Sequence, residues 1–188
     1  DLNLFVPTTS KFIGVDRNVV LGVASVWEVR KGLSEFFKLR ELLPKTIEII
    51  LIGLSKKQIE NLPSGIKGIS RTNDVNELVE YYSQSSVFVN PTWEDNFPTT
   101  NIEALACGTP VVTYRTGGSP ESITPETGIV VEKGDCNALC AAIMEIIANG
   151  KDFYSAACRK RAEDLYNKDD RFQEYLDLYQ HLLSYKCC

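Results

Sequence analysis

The sequence of 188 residues contains a single histidine, His181, and its six cysteines include no C-x-x-C pair. Zinc sites in proteins need Cys and His ligands at short spacings, so we expect no metal site of this kind. A lone histidine in a late helical pattern is also a poor base for a Ser-His-Asp triad. We interpret the cysteines as reduced thiols of a cytosolic chain, with only the adjacent Cys187 and Cys188 expected to oxidise on storage.

Long apolar runs and an excess of positive charge are missing as well. The strongest apolar run, residues 49–54, is far too short to span a bilayer, and residues 1–9 lack the charged start and long apolar run of a signal peptide. The chain has 20 basic and 25 acidic residues, a net charge of −5. This balance argues against a nucleic-acid surface as the main function, and an anionic ligand would need a local group of basic residues.

Four common ligand and nucleophile motifs are absent. The sequence has no G-x-G-x-x-G after its first strand, which argues against a dinucleotide cofactor. It has no G-x-x-x-x-G-K-[ST] phosphate loop, no D-x-D pair to hold a divalent metal against a diphosphate, and no G-x-S-x-G nucleophile elbow. These absences argue against a dinucleotide-dependent enzyme, a P-loop nucleotide-binding protein, a D-x-D metal site and a serine hydrolase.

Strand-like and helix-like segments alternate along the chain. An apolar fraction of 44% is ordinary for a soluble globular protein, and the length suits one domain. Short apolar runs predict six strands, at residues 19–25, 47–53, 66–70, 86–91, 110–114 and 128–132. The segments between them are typical of helices. This order predicts an α/β fold, a doubly wound parallel Rossmann-like sheet with helices on both faces, with residues 1–18 as an irregular lead-in and residues 19–188 as the domain.

Local signals predict where several helices begin. Asp74 is expected to cap one helix, with Glu77 completing a D-x-x-E signal, and Asp135 is expected to cap another. Ser119 is the expected N-cap of a short helical turn with Pro120 at its first position. The last helical pattern places six apolar side chains on one face: Phe172, Tyr175, Leu176, Tyr179, Leu182 and Leu183.

Doubly wound sheets bind ligands at the carboxyl ends of their strands. Five loops of this chain follow predicted strands: residues 25–32, 53–55, 70–74, 91–101 and 114–119. A ligand site is therefore expected among these loops.

The loop after the fourth strand carries the densest polar group, in the stretch WEDNFPTTNIEALACGTPVV at residues 93–112. Glu94, Asp95 and Asn96 follow one another at its start, as suits contact with ligand hydroxyls, and the helix that follows would offer free N–H groups to an anion. The local pattern also allows a capping box, with Thr100 as N-cap and Glu103 returning to its backbone.

The same stretch resembles the donor-site motif of the retaining GT-B glycosyltransferases of family GT4, the glycosyl transferases group 1. The motif is E-x7-E continued as E-A-x-A-x-G-x-P-V-V, and residues 103–112 match its second half. Its first acid falls on Asp95, with Glu94 beside it as the alternative. The resemblance extends to DLNLFVP at the start of the chain, to RKG at 30–32, to TGGSPESI at 116–123 and to TGIVVEKGD at 127–135.

The resemblance implies two catalytic residues, Lys31 and Asp95. Lys31, helped by Arg30, would neutralise the donor diphosphate as charge develops on the leaving nucleotide. Asp95, or Glu94 in its place, would lie close to the transferred sugar. Where the family tends to carry an arginine this chain has Val26, and Arg30 is the candidate to supply that guanidinium.

The resemblance also implies a set of substrate-binding residues: Arg30, Trp27, Arg71, Thr72, Glu94, Asn96, Phe97, Pro98, Thr99 and Glu103. Within this set, Glu103 would accept hydrogen bonds from the ribose diol. The backbone near Asn96 would hold sugar hydroxyls, and residues 69–72 would contact the edge of the base. Trp27 would either pack against the nucleotide or belong to the core.

GT-B enzymes have two Rossmann-like domains, and the chain resembles only the C-terminal, donor-binding one. We expect an N-terminal acceptor half to precede Asp1, and we expect this domain to bind a nucleotide sugar without transferring it alone. The implied reaction is retaining hexosyl transfer in polysaccharide biosynthesis, without metal or cofactor, to a glycan or lipid-linked acceptor. The expected location is cytoplasmic, with attachment to the inner face of the membrane through the other half as an option.

Two other functions stay open at this point. The departures at Val26 and Asp95 are compatible with a non-catalytic nucleotide-binding module, for which Asp95→Ala in the full-length protein would leave transfer unchanged. A sugar-nucleotide epimerase of GT-B architecture would need further catalytic acids and histidines, which these residues do not supply.

Overall fold

A computed structural model describes residues 1–9 and 17–185 of the chain, and in these ranges six parallel strands form one sheet. The strands are β1 (Val19–Val23), β2 (Glu48–Ile52), β3 (Ile66–Ile69), β4 (Val87–Asn90), β5 (Val111–Tyr114) and β6 (Gly128–Val131). Their order across the sheet is β3-β2-β1-β4-β5-β6, and each neighbouring pair is parallel. The predicted α/β fold is confirmed, and every strand lies within its predicted range.

Helices cover both faces of the sheet, since the strands bury apolar side chains on both sides. The α-helices are α1 (Leu33–Leu42), α2 (Lys56–Glu60), α3 (Val75–Gln84), α4 (Thr99–Ala106), α5 (Cys136–Asn149), α6 (Lys151–Tyr166) and α7 (Lys168–Tyr185). Short 3-10 helices lie at Val29–Lys31 and Ser119–Ser122. The chain moves outward from β1 to β3 and then returns to β4 on the other side of β1. A crevice therefore opens between the carboxyl ends of β1 and β4.

Two of the predicted helix caps are confirmed and one is wrong. The Asp74 carboxylate accepts from Glu77 N at 2.9 Å, and the Asp135 carboxylate accepts from Ala138 N at 2.8 Å. Ser119 is not an N-cap, because it begins the 3-10 helix itself and is fully buried. Its hydroxyl lies 2.6 Å from that of Thr113 and is thus committed to the interior of the fold.

The last predicted helix is confirmed as α7, and its apolar side chains are exposed. Six of them, the residues that share the predicted face, are each more than half exposed: Phe172, Tyr175, Leu176, Tyr179, Leu182 and Leu183. Within the described ranges, every helix falls short of the length or the apolar content that crossing a bilayer requires.

The described part of the lead-in packs on the domain without forming a helix or strand. The Arg159 guanidinium donates to the carbonyl oxygens of Phe5 at 2.7 Å and Leu2 at 3.4 Å, and the Phe5 ring meets Tyr82 edge to face. Residues 10–16 and the pair Cys187 and Cys188 lie outside the described residues, so the expectations for them stay predictions.

A partly buried lysine joins α6 to the end of α3. Lys151 Nζ donates to the carbonyl oxygens of Tyr82 (3.3 Å) and Ser83, and to the hydroxyl of Thr109 at 2.8 Å. These partners are neutral, and burial lowers the pKa of Lys151 from 10.5 to about 8. At pH values between about 8 and 10.5, Lys151 is therefore protonated more fully in the unfolded chain than in the folded chain.

We therefore expect Lys151 to make the fold more stable as the pH rises from about 8 to 10.5. The free energy of unfolding of the unmodified chain, minus that of Lys151→Met, should increase over this interval by up to about 3 kcal/mol. Urea unfolding at a series of pH values measures the difference. The matched control is Lys160→Met, since Lys160 lies exposed on the same helix beside Asp164 and should give no such increase. A flat difference for Lys151→Met would contradict the prediction.

Candidate functional site

A cavity of about 640 Å³ opens at the carboxyl edge of the sheet, in the crevice between β1 and β4. Four of the five predicted loops line it, together with Glu103 of α4. The lining residues from these loops are Ser25, Trp27, Lys31, Gly53, Ser70, Arg71, Thr72, Asp95, Phe97, Pro98, Thr99 and Thr100. The fifth loop lies behind it, where Gly118 N donates to Asn96 O at 2.7 Å. The volume lies in the range of small-ligand sites.

Lys31 and Asp95 form an ion pair in this cavity. Lys31 Nζ lies 2.5 Å from Asp95 Oδ2, and the two side chains are 22% and 14% exposed. The backbone on each side of Lys31 is held against the loop after β4. Trp93 N donates to Arg30 O at 2.7 Å, and Gly32, at φ +74°, lies so close that a Cβ there would be 2.1 Å from Pro91 O. The loops therefore fix both partners of the pair.

The loop that carries Asp95 is supported by glycine from the segment after β5. Gly117 has φ +48°, and a Cβ on it would be 1.7 Å from the carbonyl oxygen of Asp95. Gly118 also packs on this loop, where a Cβ would be 2.4 Å from Asn96 O. Backbone thus rests directly on backbone, which leaves Asp95 little freedom to move.

Helix α4 begins at Thr99, with Pro98 as N-cap and no side chain bonded to its first turn. The capping box that the local pattern allowed is therefore not formed, because Thr100 lies inside the helix and Glu103 lies two positions beyond the one that a capping box requires. The Glu103 carboxylate instead accepts from the hydroxyl of Tyr82 at 3.0 Å. The uncapped N-terminus of α4 faces the cavity, where Thr99 and Thr100 are lining residues, and its N–H groups can bind an anion.

Glu103 lies partly buried at the wall of the cavity. Burial raises the pKa of its carboxyl above the ordinary value, and the hydrogen bond from Tyr82 opposes this by stabilising the charged form. The cavity is lined by two basic residues, Lys31 and Arg71, and two acidic residues, Asp95 and Glu103.

Three predicted substrate-binding side chains do not line the cavity: Arg30, Glu94 and Asn96. Arg30 turns outward from the short 3-10 helix, and its Nε donates to Glu28 Oε2 at 2.8 Å. Val26, at the position of the family arginine, is 60% exposed. Arg30 therefore does not replace that guanidinium in this geometry, and of the two adjacent acids Asp95 is the one in the cavity.

Trp27 belongs to the core while one side of it lines the cavity. Its side chain is 6% exposed, its Nε1 donates to Ile52 O at 2.9 Å, and its ring meets Phe36 edge to face. The core placement considered for Trp27 therefore holds, and its packing against a nucleotide stays a prediction. Five further residues predicted to bind substrate line the cavity: Arg71, Thr72, Phe97, Pro98 and Thr99.

Sequence reasoning missed a buried polar network next to the cavity. Asn90 Nδ2 donates to Asn101 Oδ1 at 2.9 Å, and Asn101 Nδ2 donates to the hydroxyls of Ser119 and Ser122 at 3.0 and 3.2 Å. The signal was present, since an asparagine ends an otherwise apolar strand and another lies in an apolar helix. These bonds hold the start of α4 at the ends of β4 and β5.

Comparison with known proteins identifies a family and several relatives. Residues 17–149 match the family model for glycosyl transferases group 1. The capsular polysaccharide biosynthesis glycosyltransferase CapM of Staphylococcus aureus is 30% identical over 89% of this chain and 47% of its own length. The structure of sucrose-phosphate synthase from Thermosynechococcus elongatus matches with TM-score 0.87 and 28% identity, over 98% of this chain and 51% of that one.

A more distant match shares the fold alone. It is the Anabaena protein Alr3699/HepE in complex with UDP-glucose, with TM-score 0.80 and 18% identity over 96% of this chain and 55% of that one. The chain thus spans about half the length of the relatives it matches.

Proposed function

Because this chain belongs to the glycosyl transferases group 1, we propose that it is the donor-binding domain of a retaining, metal-independent glycosyltransferase. The donor would be a nucleotide diphosphate sugar, and the acceptor a glycan or lipid-linked glycan. One observation carries the proposal: Lys31 lines a single cavity at the strand ends with Asp95, which is 64 positions further along the chain, and with Glu103. Since the chain spans about half of its relatives' length, transfer itself is proposed for a longer protein.

Lys31 and the start of α4 would hold the diphosphate. A lysine ammonium has three donors, so the bond to Asp95 leaves two for phosphate oxygens. The uncapped N–H groups of α4 add a second source of positive potential. Both would stabilise the negative charge that builds on the departing nucleotide, which supports a mechanism without a metal.

Asp95 would lie at the transferred sugar. One of its oxygens is bonded to Lys31, and the other can accept from a sugar hydroxyl. Residues 97–99 line the same cavity. Because Asp95 connects the sugar to Lys31, it would also keep the ammonium next to the diphosphate.

Glu103 and the end of β3 would bind the nucleoside. Glu103 would accept from the ribose diol, and residues 70–72 line the cavity where the edge of the base would lie. The fold neighbour from Anabaena, whose complex contains UDP-glucose, supports a sugar nucleotide as the ligand class. The name of the Staphylococcus aureus relative supports a glycan product. The cytoplasmic location stays a prediction.

Calorimetry of this chain with UDP, GDP and ADP tests donor binding. We expect one of the three to bind, and its sugar conjugate to bind in competition with it. Asp95→Ala in the full-length protein should abolish most of the transfer, whereas Glu94→Ala, at the adjacent acid outside the cavity, should leave transfer nearly unchanged. Absence of binding to all three diphosphates would refute the proposal.

A further inference from the structure

We infer that Tyr82 is a positioning residue that orients the carboxylate of Glu103 toward the ribose of the donor, an inference that rests on the proposed function. Tyr82 lies on α3, twenty-one positions before Glu103, and its hydroxyl donates to Glu103 Oε2 at 3.0 Å. In the part of the chain that the structure describes, this is the only hydrogen bond to the Glu103 carboxylate. With one oxygen held, the other is left for a ligand in the cavity.

The Tyr82 side chain is itself held rigidly. It is fully buried, and its ring meets Phe88 at 5.4 Å and Phe5 at 6.3 Å between centroids, each edge to face. Its carbonyl oxygen accepts from Thr109 Oγ1 at 2.5 Å and from Lys151 Nζ at 3.3 Å. Packing fixes the ring and hydrogen bonds fix the backbone, so the hydroxyl has a defined place from which to direct Glu103.

The bond also favours the charge state that Glu103 needs. A carboxylate accepts from a diol more strongly than a neutral carboxylic acid does. Burial raises the pKa of Glu103, while the Tyr82 hydroxyl lowers it. Without that hydroxyl, more rotamers would be accessible to the Glu103 side chain, and the pKa of its carboxyl would be higher.

Tyr82→Phe removes the hydroxyl and keeps the buried ring. The probe is whichever of UDP, GDP and ADP binds the unmodified chain, compared by calorimetry with its 2′,3′-dideoxy form. We expect Tyr82→Phe to bind the ribose form about three- to tenfold more weakly and the dideoxy form equally well. The matched control is Tyr154→Phe, which removes a buried hydroxyl bonded to Asn149 at 2.9 Å and should change neither affinity.

A double-mutant cycle separates positioning from general loosening of the fold. If Tyr82 acts through Glu103, adding Tyr82→Phe to Glu103→Gln should cause no further loss of affinity. Equal losses for the ribose and dideoxy forms, or losses that add in the double variant, would overturn the role of Tyr82 and leave the proposed function standing. Absence of binding to the unmodified chain would overturn the proposed function and this inference with it.

Discussion

Replacing Lys31 by alanine is expected to lower kcat/KM for the donor by about 100- to 1,000-fold in the full-length transferase. Lys31 is the lining residue proposed to neutralise the diphosphate, and its Nζ lies 2.5 Å from Asp95, the acid proposed to face the sugar. Its loss would remove a charge that matters most when the nucleotide departs, and it would free Asp95 to rotate. Initial rates over a range of donor concentrations, at saturating acceptor, measure the effect.

The adjacent residue provides the control for that experiment. Arg30→Ala removes a cation of the same sign one position away, but Arg30 is exposed and bonded to Glu28. We expect its kcat/KM to stay within about twofold of the unmodified enzyme, since an exposed ion pair of this kind contributes little. Similar losses for the two variants would mean that net charge, rather than the position of Lys31, governs donor use.

Replacing Gly117 by alanine is expected to lower the free energy of unfolding by about 3 kcal/mol or more, or to displace the loop that carries Asp95. Gly117 has φ +48°, and the added Cβ would be 1.7 Å from the carbonyl oxygen of Asp95. Relief of that clash requires the 94–98 loop to shift, so donor binding should weaken along with stability. Chemical denaturation and calorimetry on the same preparation measure both.

Gly150→Ala separates the cost of backbone conformation from the cost of the clash. Gly150 also has positive φ, at +80°, but a Cβ there would meet nothing within 4 Å. This variant should lose about 1 to 3 kcal/mol, because φ +80° with ψ +144° is a conformation nearly confined to glycine, and it should retain donor binding. If Gly150→Ala weakened donor binding as much as Gly117→Ala did, the contact between residue 117 and Asp95 would not be the cause of the weaker binding.

The sheet and the position of the site were predictable because each depends on short-range patterns. Apolar runs identify the strands, and alternation with helices leaves a parallel sheet as the arrangement that buries them. Asp74 and Asp135 could be recognised as caps because the N–H groups they bind are only three residues away. The cavity followed from the rule that ligands bind at strand ends where the order reverses.

The remaining details depended on contacts between distant segments. Thr100 and Glu103 fit a capping box locally, and the partner that Glu103 in fact uses, Tyr82, comes from another helix. Arginine and lysine can both bind phosphate, so residue type alone does not tell whether Arg30 or Lys31 faces the cavity. Their directions differ because backbone bonds to the loop after β4 set the turn so that Lys31 faces inward.

Helix α7 buries little of its apolar surface, so packing on the domain contributes little to its stability. Its 18 residues place their large apolar side chains in contact with water, so its hydrogen bonds depend mostly on the helix itself, and a lone helix of this length is only marginally stable. Amide protons in α7 should therefore exchange with solvent through local fraying of the helix. Exchange of those in the central strands should require global unfolding of the domain. The unfolding transition measured by helix content would then begin before the transition measured by a probe of the core. A single midpoint would therefore not describe the unfolding of the chain.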